Sequence, residues 1–229
     1  DTIIVNSYDF KREFKKKFNL QTVMIYNPLN KNEIIKLSKN KINFPFFDKS
    51  KNNLKLINIG RFTDQKDQLT LLKSVNELKN KINFRLLIMG RGINYQKLIN
   101  FINENKMNKF VKILNFKKNP FPYLKKTDLF LLTSKFEGLP NVLLEAATLK
   151  KIIISTNCPT GPREILNNGK YGFLCDVGNY KQISEKIIYC KTKDKKNLGK
   201  IKNLAFNALD RFDYKFNLNK YYLEIKNLY

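Results

Sequence analysis

The chain has 229 residues, 42% of them hydrophobic and including 18 Phe and 11 Tyr, enough to bury one large core or two small ones. Its 44 Lys+Arg against 19 Asp+Glu give a formal net charge of +25, and it has no histidine. No apolar run reaches the ~18 residues of a membrane-spanning helix, and a zinc site or acid–base catalyst built on histidine is excluded.

Cys158, Cys175 and Cys190 are an odd number with no Cys-x-x-Cys pair, which reads as reduced structural thiols in a cytoplasmic protein. The opening residues are charged and do not read as a signal peptide; they read as the middle of a fold rather than its start. A charge of +25 attracts nucleic acid, anionic lipid or phosphorylated ligands. The lysines are also scattered among many Asn and Ile, as a compositional bias would leave them, so the basic surface has two open explanations. A nucleic-acid-binding protein would need clustered cations and a reading element, and neither is visible.

In chain order, residues 1–29 read as a short strand (Thr2 to Val5), a basic helix (Lys11 to Phe18) and a strand (Thr22 to Tyr26), broken by Asn27-Pro28. Residues 30–52 are polar and rich in Lys and Asn, and read as a linker or surface loop. From 53 to 209, short apolar runs alternate with helix-period stretches: Leu54–Ile59, Phe84–Met89, Val111–Leu114, Leu129–Leu132, Ile152–Ser155 and Gly172–Cys175. Continuous apolar runs of this length are buried parallel strands. Their alternation with helices predicts an α/β fold, a Rossmann-like doubly wound parallel sheet with the strand C-termini on one edge. Residues 195–229 read as two helices separated near Asp210 to Asp213.

Four strand-end junctions carry the candidate chemistry. Gly60-Arg-Phe-Thr-Asp-Gln-Lys66 follows a strand, and Arg61 and Lys66 there suit a diphosphate. Met89-Gly-Arg-Gly92 is a glycine turn whose Gly-x-Gly-x-x-Gly spacing fails at Tyr95, so it is not a dinucleotide fingerprint. Ser134-Lys-Phe-Glu-Gly-Leu-Pro-Asn-Val-Leu-Leu-Glu145 joins a strand to a helix whose first turn carries Pro140. Asn141 and Glu145 then share a face, Val142, Ala146 and Leu149 face the core, and Glu137 sits in the loop ahead. A helix start binds phosphate and a carboxylate accepts from hydroxyls, so this junction suits a nucleotide-sugar. Cys158-Pro-Thr-Gly-Pro-Arg-Glu164 makes a rigid turn, with Thr160, Gly161 and Glu164 as candidates to reach the same cleft. No Asp-x-Asp metal motif occurs, which favours neutralisation of the diphosphate by Arg and Lys, with no metal or other cofactor.

Gly60-Arg61 with Lys66, Leu86–Gly92, Pro122–Ser134, Glu137 with Glu145 as Glu-x7-Glu, Gly161–Leu166 and Gly169–Leu174, in this order and spacing, resemble the retaining GT-B glycosyltransferases of family 4, also called glycosyltransferase group 1. The resemblance covers residues 1–205. Asp1–Ser7 and Val23–Leu29 resemble the end of that family's N-terminal acceptor domain, which implies that residues 53–209 are the donor-binding half and that a helix in 210–229 packs back toward the first domain. A partner domain and an exposed apolar patch around residues 1–26 and 211–229 are then expected. The implied reaction moves a sugar from a nucleoside diphosphate sugar, UDP by family frequency, to a glycan or undecaprenyl-linked acceptor at the inner face of the cytoplasmic membrane. By the same resemblance Arg61, Lys66 and Glu137 act on the diphosphate and donor sugar, and Glu145 binds the ribose. The backbone of Gly138, Leu139, Pro140, Asn141, Val142 and Leu143 meets phosphate or sugar. Gly60 and Gly90 shape the turns, and the base lies near Phe116 and Lys117. A sugar-nucleotide epimerase or a phosphorylase on the same architecture is the rival enzyme class.

Overall fold

The computed structural model describes residues 2–48 and 52–227. It opens with β1 (Ile4–Val5), α1 (Tyr8–Phe18), β2 (Val23–Met24), α2 (Lys31–Leu37) and α3 (Pro45–Asp48). The main domain follows as β3 (Leu54–Ile59), α4 (Gln68–Asn76), β4 (Phe84–Gly90), α5 (Tyr95–Glu104), β5 (Val111–Asn115) and α6 (Phe121–Lys125). It continues with β6 (Leu129–Leu132), α7 (Asn141–Thr148), β7 (Ile152–Thr156), α8 (Pro162–Ile165), β8 (Phe173–Cys175) and α9 (Tyr180–Thr192). The chain then runs through α10 (Lys195–Asn207), a 3-10 turn (Ala208–Phe212) and α11 (Tyr214–Lys226).

β3 to β8 form one six-stranded sheet in the order β5-β4-β3-β6-β7-β8, every pair parallel. The order reverses between β3 and β6, and in an open α/β sheet that reversal leaves a crevice beyond the strand C-termini. The sheet is buried on both faces because its strands are apolar on both. Along β4, Phe84, Leu86 and Ile88 enter one core cluster while Leu87 and Met89 enter the other. All six apolar runs read from the sequence are strands of this sheet.

Residues 2–26 make a small β-α-β unit in which β1 and β2 pair in parallel. Helix α1 begins one turn earlier than the sequence suggests because Ser7 caps it, its hydroxyl accepting from the Phe10 N–H at 3.1 Å. It ends at Asn19, which takes the left-handed conformation at φ 52°. The unit is fastened to the main domain by Glu164. One carboxylate oxygen accepts from the Tyr26 hydroxyl at 2.6 Å, and the other from the Tyr8 and Asp9 N–H groups at 2.9 and 3.4 Å, at the positive end of α1. Burial, then the Glu164 bond and charge, raise the Tyr26 phenol well above its ordinary range.

Residues 30–52 are not a plain surface linker: α2 through Ile34, α3 through Phe47, and Phe44 just ahead of α3 join the core cluster, while 49–51 lie outside the described residues. The C-terminal segment returns to the start of the chain: Leu29 N–H donates to Phe212 O in the 3-10 turn at 2.8 Å, and the Tyr221 hydroxyl of α11 donates to Ile25 O at 3.5 Å. Large apolar side chains stay exposed on these two segments: Ile3, Tyr8, Phe18 and Leu20 near the start, and Tyr214, Phe216, Leu218, Tyr222, Leu223 and Ile225 near the end. Positions 228 and 229 lie outside the described residues.

Candidate active site

The loops leaving the carboxyl ends of β3, β4, β5, β6 and β7 form one rim, tied together by backbone groups. Gly60 N–H donates to Met89 O at 3.0 Å and Phe62 N–H to Arg91 O at 2.9 Å. Lys135 N–H donates to Gln65 O at 2.8 Å, and Glu137 N–H to Pro159 O at 3.3 Å. Two glycines allow this closeness. A Cβ on Gly90 would overlap the Gly60 carbonyl, and one on Gly161, which has φ 78°, would overlap the Gly138 carbonyl and the Pro140 ring. Thr160 adds a hydrogen bond from its hydroxyl to the Glu137 carbonyl.

Within the rim at the β3–β6 reversal lies a cleft of about 440 Å³, lined by Gly60, Arg61, Gly90, Arg91, Phe116, Lys117, Lys118, Pro120, Phe121, Val142 and Glu145, with Ile59 and Met89 at its base. Seven predicted site residues are therefore together: Gly60, Arg61, Gly90, Phe116, Lys117, Val142 and Glu145. Glu145 comes from the second turn of α7. Its carboxylate has no hydrogen-bond donor among the described residues, and burial pushes its pKa from 4.5 up to about 7. The guanidinium of Arg91 lies 5.4 Å from the centre of the exposed Phe116 ring at the mouth, a cation–π contact.

Lys66 and Glu137 form a second centre beside this cleft. Lys66 Nζ is 2.6 Å from Glu137 Oε1, with side chains only 15% and 6% exposed, and the Ser134 hydroxyl donates to the same oxygen at 2.5 Å. Glu137 is thus held by two donors, while Glu145 is held by none.

Three expectations change. Pro140 is the residue before α7, with ψ 100°, rather than part of its first turn. The helix faces stand as expected: Ala146 is buried and Val142 and Leu149 pack against the core, while Leu143, Leu144 and Ala147 are buried as well and Val142 also lines the cleft beside Glu145. Leu139 and Leu143 are core side chains, so only their backbone is available to a ligand. Glu164 does not reach the cleft; it is spent on residues 2–26, as described above. Thr160 and Gly161 shape the loop that carries Glu137 and do not line the cleft. All three cysteines are buried and free, their thiols pushed up to about 11, 11 and 12 by burial, which makes them inert.

Sequence reasoning missed the polar chain beside Gly138 and Asn141. Asn6 Nδ2 donates to Asn27 Oδ1 at 3.3 Å, and Asn27 Nδ2 donates to Asn141 Oδ1 at 2.8 Å and to Leu139 O at 3.4 Å. It also missed Arg91, visible only as the middle of a glycine turn, and Ser134.

The family described as glycosyl transferases group 1 matches residues 11–204. An uncharacterized glycosyltransferase of Methanocaldococcus jannaschii is 33% identical over 90% of this chain and 53% of its own length. A 4-alpha-N-acetylgalactosaminyltransferase of Campylobacter jejuni, named for an N-acetylgalactosamine-N,N'-diacetylbacillosaminyl-diphospho-undecaprenol substrate, is 28% identical over 67% of this chain and 43% of its own. The chain thus spans about half the length of the curated relatives it matches. Among solved structures, the Anabaena protein HepE, crystallised with UDP and glucose, shares the fold with a TM-score of 0.84 at 20% identity, covering 98% of this chain and 62% of that one. From the strand-end rim, the Glu-x7-Glu junction set within it and the family match over residues 11–204, the chain belongs to the glycosyl transferases group 1.

Proposed function

We propose that this chain is the donor-binding half of a retaining family 4 glycosyltransferase that moves a sugar from a UDP-linked hexose or N-acetylhexosamine to a lipid-linked or cell-surface glycan acceptor. The observation that carries this reading is the cleft at the β3–β6 reversal, where Arg61, Lys117 and an unpartnered Glu145 face one another. Cations and a helix start suit the diphosphate, and Glu145 suits a pair of ribose hydroxyls. Arg61 and Lys66 stabilise charge developing on the leaving diphosphate, the electrostatic contribution that dominates such reactions. Glu137, fixed by Ser134 and Lys66, orients the donor sugar beside the start of α7. The neutralising charge comes from Arg and Lys, so the reading requires no metal.

UDP is favoured by the ligand of the Anabaena structure, and the lipid-linked acceptor by the name of the Campylobacter relative. The net charge of +25 suits work beside an anionic membrane surface on such an acceptor. The exposed apolar side chains of α1 and α11 are the faces on which an acceptor-binding domain packs. Calorimetry with UDP and UDP-sugars tests the assignment. Saturable binding that disappears in Arg61→Ala/Glu145→Ala is expected; no binding by the natural chain, or equal binding by the double variant, overturns it.

A further inference from the structure

Two asparagines at the carboxyl ends of β1 and β2 reach the start of α7. Asn6 Nδ2 donates to Asn27 Oδ1 at 3.3 Å, and Asn27 Nδ2 donates to Asn141 Oδ1 at 2.8 Å and to Leu139 O at 3.4 Å. Asn27 is held between two anchors. On one side the buried Tyr26 is bonded through its hydroxyl to Glu164. On the other the buried Leu29 donates its N–H to Phe212 O at 2.8 Å. Pro28 between them restricts the Asn27 backbone to extended conformations. The fold itself thus places the Asn27 amide.

Both groups that Asn27 meets at α7 are oxygens, and both are drawn toward the small β-α-β unit. What the helix start has left are donors. Pro140 gives no side-chain cap, and the N–H groups of Asn141 and Val142, with Asn141 Nδ2, have no hydrogen-bond partner among the described residues. A carbonyl oxygen turned into a helix start repels the anion that its N–H groups attract, and Asn27 holds two such oxygens aside. Asn141 lies one turn before Glu145. With Glu145 and Phe121 it lines a recess of about 280 Å³, which adjoins the nucleotide cleft through those two shared residues. The same helix start directly follows the loop of the Lys66–Glu137 pair. A nucleoside diphosphate whose ribose meets Glu145 would therefore bring its terminal phosphate to Asn141. Stability alone does not account for the chain of amides, because Asn6 Oδ1 is buried without a donor, which costs free energy.

We propose that Asn27 is a positioning residue for the donor. It acts through Asn141 and the Leu139 carbonyl, so that the start of α7 meets the terminal phosphate of a nucleoside diphosphate with donors only. This rests on the reading of the cleft as a nucleotide-sugar site and adds to it a residue from outside the six-stranded sheet and its helices.

The test titrates UDP and UMP by calorimetry into the natural chain, Asn27→Ala, Asn141→Ala and the double variant. The natural chain should prefer UDP. Asn141→Ala should weaken UDP at least about tenfold, as the loss of one charge-assisted hydrogen bond does. Asn27→Ala should do nearly the same, with UMP weakened less than about threefold. The double variant should fall no more than about twofold below Asn141→Ala, because the two residues act as one. Backbone amide NMR of ligand-free Asn27→Ala should show shifts at Leu139 and at Asn141 to Leu143. An Asn27 that only supports the fold would weaken both nucleotides alike and add its loss to that of Asn141→Ala. Either result, or natural UDP affinity in Asn27→Ala, overturns the proposal and leaves the donor site standing. No UDP binding by the natural chain sinks both. If Asn27→Ala does not fold, Asn141→Ala decides: it must lose UDP while keeping UMP, and unchanged UDP affinity or equal loss of both overturns the proposal.

Discussion

Glu145→Gln should make the ligand-free protein more stable, and only at neutral to alkaline pH. Burial raises the Glu145 pKa from 4.5 to about 7, with no donor to offset it. Each unit corresponds to about 1.4 kcal/mol, so the ceiling on the effect is about 3.4 kcal/mol. The cleft is open to water, which reduces the figure to about 1–3 kcal/mol. The native state holds this proton more tightly than the unfolded chain does. Stability is therefore lost as pH rises from about 4.5 through about 7, and the full penalty stands above that. Glutamine keeps the shape and cannot ionise. Urea unfolding of the two proteins at pH 8 should show the variant ahead by about 1–3 kcal/mol, with the gap closing below pH 4.5. At roughly 2–4 °C per kcal/mol for a chain of this size, Tm at pH 8 rises by about 2–12 °C. A gap that is absent at pH 8, or equally large at pH 4.5, would refute the reasoning. The stabilised variant should also bind UDP more weakly, since functional groups are commonly kept at a cost in stability.

Lys66→Ala leaves the Glu137 carboxylate buried without its cation and should cost about 3–5 kcal/mol, while Lys66→Met/Glu137→Gln should cost clearly less than the sum of its single changes; strict additivity in urea denaturation would show the two groups to be uncoupled. Gly90→Ala should cost about 1–3 kcal/mol by pushing the Gly60 carbonyl away, and nucleotide affinity should fall with it because Arg61 follows Gly60; an unchanged urea midpoint and an unchanged Kd would contradict the loop contact. Glu164→Ala removes the acceptor for the Tyr8 and Asp9 N–H groups and for the Tyr26 hydroxyl, so hydrogen exchange should quicken in residues 8–18 while the central strands keep their protection, and the Tyr26 phenol should ionise at lower pH in an ultraviolet titration. Uniform exchange throughout the chain would show that Glu164 supports the whole domain rather than this one unit.

The central sheet was legible because a parallel strand covered on both faces has no polar side to interrupt it, so its run is continuously apolar. The same logic hides α2 and α3. The buried anchors of this stretch, Ile34, Phe44 and Phe47, are set among Lys and Asn without a sustained helical period, and nothing local says that those three side chains reach a core. The candidate site was legible where spacing encodes it. Glu137 and Glu145 stand out because eight positions separate a loop carboxylate from a helix carboxylate, and Arg61 because it follows a strand-end glycine. The exact start of α7 was not legible, since whether Pro140 opens the helix or precedes it turns on ψ at one residue. Arg91, Asn6 and Asn27 were lost for a further reason: their partners, Phe116 and Asn141, lie far away in sequence, and an isolated amide or cation has no periodicity to betray it. Glu164 was misplaced because a strand-end turn usually faces the ligand edge, whereas the single turn of α8 sends this carboxylate toward α1.

The environments of the two carboxylates argue against a shared acid–base role. A proton relay needs each member free to take and give a proton. Glu137 accepts from Ser134 at 2.5 Å and Lys66 at 2.6 Å on the same oxygen, in a site that is nearly closed. That arrangement fixes a direction in space, and losing either donor would leave a buried acceptor unsatisfied. Glu145 is the opposite case. Its pKa of about 7 resembles that of a general base, yet the cause is burial by the surrounding protein alone, with no partner charge tuning it. Hydroxyl donors from a bound ribose would favour the charged form and pull the pKa back down. Under the proposed reading, the strain that burial places on Glu145 would be relieved by such a ligand, and the relief would add to affinity. One carboxylate is fixed by two protein donors and the other has none among the described residues, the division that the proposed reading expects between a group that orients the donor and a group that holds it.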